Sequence, residues 1–348
     1  MDRVRMGFVG AGFMGQLAHI ANYAQVPECE LVALAEGRTE LARKVAARYG
    51  IAKLYRNHQE LAADPDVEAV AAILPYRLNY AVVKDLLQAG KHVITEKPIA
   101  VSTAEADELV ALAQAKGLIY QVGYMKRHDT GVSLARETIE QFRQSGEYGV
   151  PDLARVWCFG GDWLAGIEDP IQTDEELPDY GYQSSEFPEW LSQQHHGLFD
   201  RLLNLYSHVT NLLRYLIGED YALEHVAWKP DKPFVMSAWS ESDIHCVFEC
   251  GDLKAARWYE GVELHFPQAV IRIDSPAPMA RQTHADVTVY TMGDSPQFRR
   301  PIPTPSWAFL EQARHFVACV RGEVPQRSPA SDAAKDIALA EAAIRLVM

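Results

Sequence analysis

A glycine-rich turn between a strand-like and a helical segment constrains the fold of this chain more than any other feature. The turn follows the apolar run from Arg5 to Val9 and reads Gly10-Ala11-Gly12-Phe13-Met14-Gly15. In a turn of this spacing the first glycine permits a tight bend, the second lets a pyrophosphate approach the backbone, and the third lets the helix pack on the strand. The order of strand, turn and helix therefore predicts a dinucleotide-binding domain.

A carboxylate at the end of the next strand supports this prediction. The second apolar run ends at Glu36, which comes 21 residues after Gly15, and the ribose-binding acid of such domains follows the turn by about 20 residues. Glu36 can accept hydrogen bonds from ribose hydroxyls and would repel a 2′-phosphate, so it favours NAD over NADP. Arg38 leaves NADP as the alternative cofactor, because a guanidinium can bind a 2′-phosphate or stack on adenine. The other interpretation of Arg38 is a solvated residue at the start of a helix.

Strands and helices continue to alternate through the first 125 residues. Strands separated by helices of about 10 to 15 residues predict right-handed crossovers and a doubly wound parallel sheet, a Rossmann fold. Ligands of such sheets lie beyond the carboxyl ends of the strands, so Pro75, Glu96-Lys97-Pro98 and the run from Tyr124 to His128 should border the crevice. The predicted strands are 5–9, 30–35, 67–74, 92–95 and 119–123, and the predicted helices begin after the turn, at Tyr80 and at Thr103.

The pattern changes at about residue 151. Short β-branched and aromatic runs separated by turn residues are typical of an antiparallel sheet. We therefore predict an α/β domain over residues 1–125 and an α+β domain for substrate binding and oligomerisation, with a large, open, mostly antiparallel sheet, over residues 126–348. Packing of its C-terminal helices back on the first domain is the alternative for that part of the chain. The second domain's predicted strands are 154–159, 225–228, 235–240, 244–250, 255–259, 269–273 and 286–291, with helices at 198–217, around 309–320 and at 330–347.

Charge and cysteine content exclude several kinds of partner. The chain has 33 Lys and Arg against 47 Asp and Glu, a formal net charge of −14, which disfavours nucleic acid and anionic membranes. No export signal and no apolar run of membrane-spanning length is visible, and five scattered cysteines suit a reducing compartment. We therefore expect a cytoplasmic protein. Cys246 and Cys250 have no second cysteine pair nearby, so no metal site is predicted.

Three segments together make the chain recognisable. They are the glycine turn, the run from Ala89 to Val93 that leads into Glu96-Lys97-Pro98, and Gly123-Tyr124-Met125-Lys126-Arg127. In order and spacing they resemble the Gfo/Idh/MocA oxidoreductase family. The resemblance implies NAD(P)-dependent oxidation or reduction of sugars and cyclitols, and homo-dimers or homo-tetramers built through the open sheet.

The resemblance also assigns roles to a predicted helix of the second domain. His208 occupies the position of the family's active-site histidine, and Asn204 stands where the family usually has a carboxylate. The spacing of four residues predicts one shared helical face. An amide binds hydroxyl groups but cannot accept a proton, so His208 and Lys97 remain as the predicted catalytic residues, with His208 the favoured base and Lys97 the alternative.

The full set of predicted site residues follows from these segments. For the cofactor they are Gly10, Gly12, Phe13, Met14, Gly15, Glu36, Arg38, Pro75, Glu96 and Lys97. For the substrate they are Lys97, Tyr124, Arg127, His128, Asp162, Trp163, Asn204 and His208. Packing is the alternative role for Tyr124, and solvated loop positions are the alternative for Arg127 and His128.

An acidic segment from Asp162 to Asp200 is the most individual part of the sequence. It holds ten Asp and Glu residues, no Lys or Arg, and several aromatic residues that include Tyr180 and Tyr182. Because it directly precedes the helix with His208, it is interpreted as a wall or lid of the substrate site that disfavours phosphorylated and nucleotide-linked sugars. The alternatives are a solvated loop and an oligomer contact.

These observations predict a dehydrogenase that transfers hydride between nicotinamide and a secondary alcohol or ketone of a sugar, glycoside or cyclitol. A redox-assisted glycosidase with tightly bound NAD is a variant of the same chemistry. The alternative from another class is a non-catalytic NAD(P)-binding sensor, which Asn204 supports and the retained Lys97 and His208 oppose.

Overall fold

The computed structural model describes residues 3–178, 183–252, 257–293 and 295–348. These residues form two compact units. The first comprises Met1–Gly123, Glu168–Ser192 and Phe309–Ala338, and the second comprises Tyr124–Ile167, Gln193–Ala308 and Leu339–Met348. Much of the acidic segment thus belongs to the first unit, whereas the sequence placed it in the domain 126–348. The C-terminal stretch Phe309–Ala338 belongs to the first unit as well.

The first unit contains a six-stranded parallel sheet, which confirms the predicted Rossmann fold. The strand order β3-β2-β1-β4-β5-β6 changes direction between β1 and β4, so the switch point of the sheet lies at the carboxyl ends of these two strands. The strands are β1 (Val4–Val9), β2 (Cys29–Ala35), β3 (Lys53–Tyr55), β4 (Ala69–Ala72), β5 (His92–Thr95) and β6 (Tyr120–Val122).

The first five helices follow these strands, and local sequence explains several of their ends. The side chains of Asn57 and Ser102 accept N-cap hydrogen bonds, and Gly50 ends a helix in the left-handed conformation with φ of 71°. The segment Gly15–Ile20 after the glycine turn is π-helical, where an α-helix was predicted. The helices are α1 (Ala21–Tyr23), α2 (Thr39–Tyr49), α3 (His58–Ala62), α4 (Asn79–Gln88) and α5 (Thr103–Ala115).

The second unit contains an eight-stranded sheet in the order β14-β13-β12-β11-β7-β10-β9-β8. All neighbours pair antiparallel except β7 and β10, which are parallel, so the predicted mostly antiparallel sheet is confirmed. Its strands are β7 (Leu153–Gly160), β8 (Tyr221–Ala227), β9 (Phe234–Ser240), β10 (His245–Cys250), β11 (Tyr259–Phe266), β12 (Ala269–Asp274), β13 (Asp286–Thr291) and β14 (Gln297–Arg299).

The predicted continuous α-helix over 198–217 is wrong in its middle. A π-helical turn, Leu202–Tyr206, separates two α-helices, so Asn204 and His208 do not have the α-helical spacing that the sequence suggested. The remaining helices are α6 (Thr130–Ser145), α7 (His196–Arg201), α8 (Ser207–Ile217), α9 (Ala308–Val320) and α10 (Ala330–Val347). Helix α6 was not predicted, although Asp129 caps its start and Gly146 ends it.

The strand predicted over 255–259 is also misplaced. Residues 255 and 256 lie outside the described residues, and the observed strand β11 begins only at Tyr259. Glu260, Gly261 and Glu263 interrupt the pattern of apolar residues in β11, so the strand signal in the sequence is weak there. Gly261 is needed there because a Cβ would stand 2.3 Å from the Trp157 ring on β7.

Candidate functional site

The three glycines of the turn have different surroundings, and each suits a dinucleotide. Gly10 has φ of 92°, and a Cβ there would meet the carbonyl oxygen of Ile73 at 2.4 Å. A Cβ on Gly15 would meet the carbonyl oxygen of Gly10 at 2.5 Å, whereas a Cβ on Gly12 would meet no described atom within 4 Å. Gly10 and Gly15 therefore close the turn against β4, and Gly12 leaves open space for a pyrophosphate.

The helical start after the turn is held from two sides. Phe13 and Met14 are half-buried in its first turn, where N–H groups are available to an anion. The buried side chain of Gln16 donates to the carbonyl oxygens of Ala11 (2.8 Å) and Ile171 (3.0 Å). Gln16 was not among the predicted residues.

Glu36 lies against the turn at the end of β2. Its carboxylate accepts hydrogen bonds from the backbone N–H of Ala11 (2.8 Å) and from the Arg38 guanidinium, with Nε at 2.9 Å and Nη2 at 2.9 Å. Burial raises the pKa of Glu36, but the hydrogen bonds from Arg38 and Ala11 outweigh burial and lower this pKa below its ordinary value. The carboxylate is therefore ionised at neutral pH, and Arg38 balances its charge.

These residues surround one cavity of about 400 Å³ at the switch point, within the range of about 300–1,000 Å³ that is common for ligand sites. Its volume and its position beside Glu36 suit the adenosine half of a dinucleotide. Several wall residues were not predicted, among them Arg56 to His58 at the start of α3, and Leu177 with Pro178 from the acidic segment. The predicted residues that line the cavity are Gly10, Gly12, Glu36, Arg38 and Pro75.

Glu96-Lys97-Pro98 follows β5 in the first unit. The Lys97–Pro98 peptide bond is cis, and Lys97 is half-buried. The Glu96 carboxylate lies 2.9 Å from Nε2 of His19, and the side chain of Asn79 donates to the carbonyl oxygen of Pro98 at 2.8 Å. His19 was not among the predicted residues. It lies in the π-helical segment Gly15–Ile20, and its contact with Glu96 brings it to the end of β5.

His208 lies at the start of α8 in the second unit and is half-buried. Its ring meets the ring of Tyr124 edge-on, with centroids 6.0 Å apart. Asn204 is exposed in the preceding π-helical turn. π-helical turns of this kind are frequent at functional sites, and the sequence did not indicate one here.

Arg127 and His128 are buried, with 4% and 1% exposure, so the solvated alternative is wrong for both. The Arg127 guanidinium donates to the Asn211 side chain at 2.5 Å and to the Asn211 carbonyl oxygen at 3.1 Å. It also lies 5.0 Å from the centroid of the Tyr215 ring. Arg127 therefore fastens the segment that contains Tyr124 to the helix that contains His208.

The remaining predicted residues of the second unit are exposed. Asp162 accepts hydrogen bonds from the N–H groups of Leu164 (3.0 Å) and Ala165 (3.3 Å), and Trp163 is 40% exposed. A buried ion pair of Lys126 with Glu260 was not predicted; the second oxygen of Glu260 accepts from the indole of Trp258 at 2.9 Å.

The structure thus groups the predicted residues into two sets. The predicted cofactor residues, with Lys97, belong to the first unit, and Tyr124, Arg127 and His208 belong to the second. Leu177 and Pro178 of the acidic segment line the cavity of the first unit. The role of the segment as a wall or lid of the substrate site stays a prediction, and its residues Asp179, Tyr180 and Tyr182 lie outside the described residues. Within the described ranges no helix is long and apolar enough to cross a membrane, and no group of His, Cys, Asp and Glu is arranged to hold a metal ion.

Comparison with known proteins agrees with this geometry. Residues 4–124 match the GFO_IDH_MocA family model, described as an oxidoreductase family with an NAD-binding Rossmann fold. A levoglucosan dehydrogenase of Pseudarthrobacter phenanthrenivorans is 28% identical over 67% of this chain and 56% of its own length. A myo-inositol 2-dehydrogenase of Thermotoga maritima is 27% identical over 44% of this chain and 44% of its own. The chain thus aligns with about half of the length of these curated relatives.

Solved structures agree over almost the whole fold. An NAD binding oxidoreductase from Klebsiella pneumoniae has a TM-score of 0.77 and 20% identity, covering 99% of this chain and 97% of that one. A levoglucosan dehydrogenase in complex with NADH and levoglucosan has the same TM-score, identity and coverage. At this identity the likeness concerns the fold. Residues 4–124 thus match the NAD-binding Rossmann domain of the Gfo/Idh/MocA oxidoreductase family.

Proposed function

We propose that the chain is an NAD(P)-dependent dehydrogenase that transfers hydride between nicotinamide and a secondary alcohol or ketone of a sugar, glycoside or cyclitol. The observation that carries this proposal is the dinucleotide cavity, in which Gly12 leaves open space beside the ionised carboxylate of Glu36. The names of two relatives, a levoglucosan and a myo-inositol dehydrogenase, support the substrate class.

The cavity supports NAD as the preferred cofactor, with NADP as the alternative. Glu36 presents an anion that accepts from ribose hydroxyls and repels a 2′-phosphate. Arg38 pairs with Glu36 through two hydrogen bonds, so it offsets part of that repulsion. Calorimetric titration of the protein with NAD⁺ and with NADP⁺ tests this preference, and tighter binding of NADP⁺ would contradict it.

The bound nicotinamide supplies the hydride acceptor or donor, and the residues of the chain handle the proton. We propose that a ring nitrogen of His208 takes the hydroxyl proton, because imidazole titrates near neutral pH. The edge-on ring of Tyr124 restricts the orientation of His208. The Lys97 ammonium donates a hydrogen bond to the reacting oxygen and orients it. Asn204 can bind a hydroxyl group but cannot take a proton.

Substrate preference is tested with a panel of neutral sugars, glycosides, inositols and nucleoside-diphosphate sugars, each mixed with NAD⁺ or NADP⁺. The readout is the near-ultraviolet absorbance of the reduced nicotinamide. We expect neutral polyols to be oxidised. Absence of turnover with the whole panel, while the cofactor binds, would favour the non-catalytic sensor instead.

The roles of the two proposed catalytic residues need variants. Lys97→Ala and His208→Ala should each lower kcat by about 100-fold or more while NAD binding stays nearly unchanged, since positioned acid or base groups contribute about 10² to 10⁴ in rate. His225→Ala, on the exposed side of β8, is the matched control. Near-normal turnover of either variant would refute the role of that residue.

A homo-dimer or homo-tetramer through the open face of the eight-stranded sheet is part of the proposal. Apolar side chains on this face are exposed, among them Val235, Trp239, Tyr259 and Tyr290, with exposures of 42%, 43%, 39% and 39%. Surfaces of this kind mark interaction sites. Sedimentation analysis of the protein and of Trp239→Glu tests it, and a monomeric wild-type protein would contradict it.

A cytoplasmic location remains a prediction from the sequence.

A further inference from the structure

Part of the acidic segment is docked on the nucleotide-binding unit. We name residues 168–178 the acidic strap. The backbone of Ile171 exchanges two hydrogen bonds with the Gln16 side chain, from N–H to Oε1 at 2.9 Å and from Nε2 to the carbonyl oxygen at 3.0 Å. Gln16 also donates to Ala11 in the glycine turn. One end of the strap is thus tied to the turn that forms the pyrophosphate site.

The second tie of the strap is at the start of α2. The Glu175 carboxylate accepts hydrogen bonds from the backbone N–H groups of Glu40 (2.9 Å) and Leu41 (3.0 Å), and Thr173 donates to the same carboxylate at 3.1 Å. The first-turn N–H groups of a helix have no partner within the helix, so an anion is stabilised there. Because α2 directly follows Arg38, this contact holds the strap next to the ribose acid.

Three further contacts, all made by Arg77, hold the acidic segment on the first unit. Arg77 follows Pro75, which lines the cavity. Its carbonyl oxygen accepts from the N–H of Ser185 at 2.8 Å, and its guanidinium donates to the Ser185 carbonyl oxygen at 3.1 Å. The guanidinium also lies 4.0 Å from the centroid of the Phe187 ring. The acidic segment is therefore also attached to the first unit at Ser185 and Phe187, which follow the strap in the chain.

The end of the strap forms a wall of the dinucleotide cavity. Leu177 and Pro178 line it together with Glu36 and Arg38. Leu177 is 60% exposed although it is apolar, so its side chain is available to a flat apolar group such as a purine ring. The partners of these ties lie two to four positions along the chain from residues that line the cavity: Gln16 from Gly12, Glu40 and Leu41 from Arg38, and Arg77 from Pro75.

We propose that Leu177 and Pro178, at the end of the acidic strap, pack on the adenosine half of the dinucleotide, and that the dinucleotide leaves only when the ties at Ile171 and Glu175 detach. This inference rests on the proposed NAD(P) function. It adds a chain segment more than 130 residues away in sequence to the expected glycine turn and ribose acid. Detachment of the strap then limits the rate at which the cofactor is exchanged.

The test compares Glu175→Ala with Glu176→Ala. Both remove one acid from the strap, but Glu176 is exposed and only Glu175 caps α2. Release of NADH is followed by stopped-flow fluorescence after mixing with excess NAD⁺. Removal of charge-assisted hydrogen bonds of this kind costs about tenfold in an equilibrium, so we expect release about tenfold faster from Glu175→Ala and unchanged from Glu176→Ala. Equal release from the two variants would overturn the proposal.

Two binding measurements give an independent readout. NAD⁺ should slow hydrogen exchange of the amides in residues 168–178 of the wild-type protein, and unchanged exchange would also overturn the proposal. Leu177→Ser should weaken AMP binding by about three- to tenfold, because it removes part of the apolar surface that faces the adenosine, and leave nicotinamide mononucleotide binding unchanged. If the wild-type protein bound neither NAD⁺ nor NADP⁺, the proposed function itself would fail; normal binding with no strap effect would refute only the strap.

Discussion

Adding one methyl group to the glycine turn should separate folding from cofactor binding. A Cβ on Gly12 would meet no described atom within 4 Å, whereas a Cβ on Gly10 or Gly15 would lie 2.4 Å or 2.5 Å from a carbonyl oxygen. Gly12→Ala should therefore leave the free energy of unfolding unchanged or raise it by about 0.4–1 kcal/mol, through lower entropy of the unfolded chain. The same methyl group occupies the space proposed for the pyrophosphate.

The cost to cofactor binding follows from the hydrogen bond that this methyl group would displace. A hydrogen bond to a charged group contributes about 1.5–3 kcal/mol, so removing one backbone hydrogen bond to the pyrophosphate should raise the Kd of NAD⁺ by about 10- to 150-fold. Gly10→Ala is the opposite case. Its φ of 92° costs a residue with a Cβ about 1–2 kcal/mol, and the close approach to the Ile73 carbonyl oxygen adds about 1–3 kcal/mol.

The assay is a pair of measurements on each variant. Urea denaturation without cofactor gives the free energy of unfolding, and isothermal titration with NAD⁺ gives the Kd. We expect Gly12→Ala to be stable and poor at binding, and Gly10→Ala to be destabilised. Wild-type affinity in Gly12→Ala, or a loss of stability equal to that of Gly10→Ala, would refute the assignment of the pyrophosphate site to this turn.

Two further predictions concern stability. Burial, with the charge of Arg327, lowers the pKa of His315 to about 4 from 6.5, and its neutral ring accepts from the Arg327 N–H at 3.1 Å. Between these values the unfolded chain binds a proton that the folded chain does not. The free energy of unfolding should therefore be highest above pH 6.5 and fall as the pH decreases from 6.5 to about 4. In urea denaturation at several pH values, His315→Gln should show a weaker dependence of this free energy on pH than the wild-type protein. An equal dependence in both proteins would contradict the prediction. Lys126 and Glu260 form a buried pair, so Lys126→Met or Glu260→Gln should each cost about 3–5 kcal/mol, while the double variant should cost less than their sum; additive losses in chemical denaturation would exclude the coupling.

The strands and helices that sequence patterns located best are those with uninterrupted local signals. Strands β5 (His92–Thr95) and β13 (Asp286–Thr291) and helix α10 (Ala330–Val347) have the bounds that the sequence predicted. Helix α6 was missed although Asp129 and Gly146 mark its ends, because glycine and β-branched residues within it weaken the helical signal. Strand β11 was misplaced because its acidic residues and Gly261 interrupt the pattern, and only Trp157 on the neighbouring strand explains that glycine.

Candidate site residues divide in the same way. Gly10, Gly12 and Glu36 were predicted from spacing alone, and the structure brings them to one cavity. His19 and Gln16 were missed, because a histidine or glutamine on an apolar helix gives no signal until its partner is known. Their partners, Glu96 and Ile171, are 77 and 155 residues away along the chain.

What the sequence determined by itself is therefore the parallel sheet followed by a mostly antiparallel one, the glycine turn with Glu36 after it, and the resemblance of these segments to a known family, since each depends on residues close together in the chain. Only the tertiary structure decided that Arg38 neutralises Glu36, that Asn204 lies in a π-helical turn just before the helix of His208, and that Leu177 and Pro178 line the cavity beside Glu36. The physical reason is that hydrogen-bond partners and buried neighbours are set by packing between distant segments. A local pattern records that a residue is polar or apolar, but not which partner satisfies it.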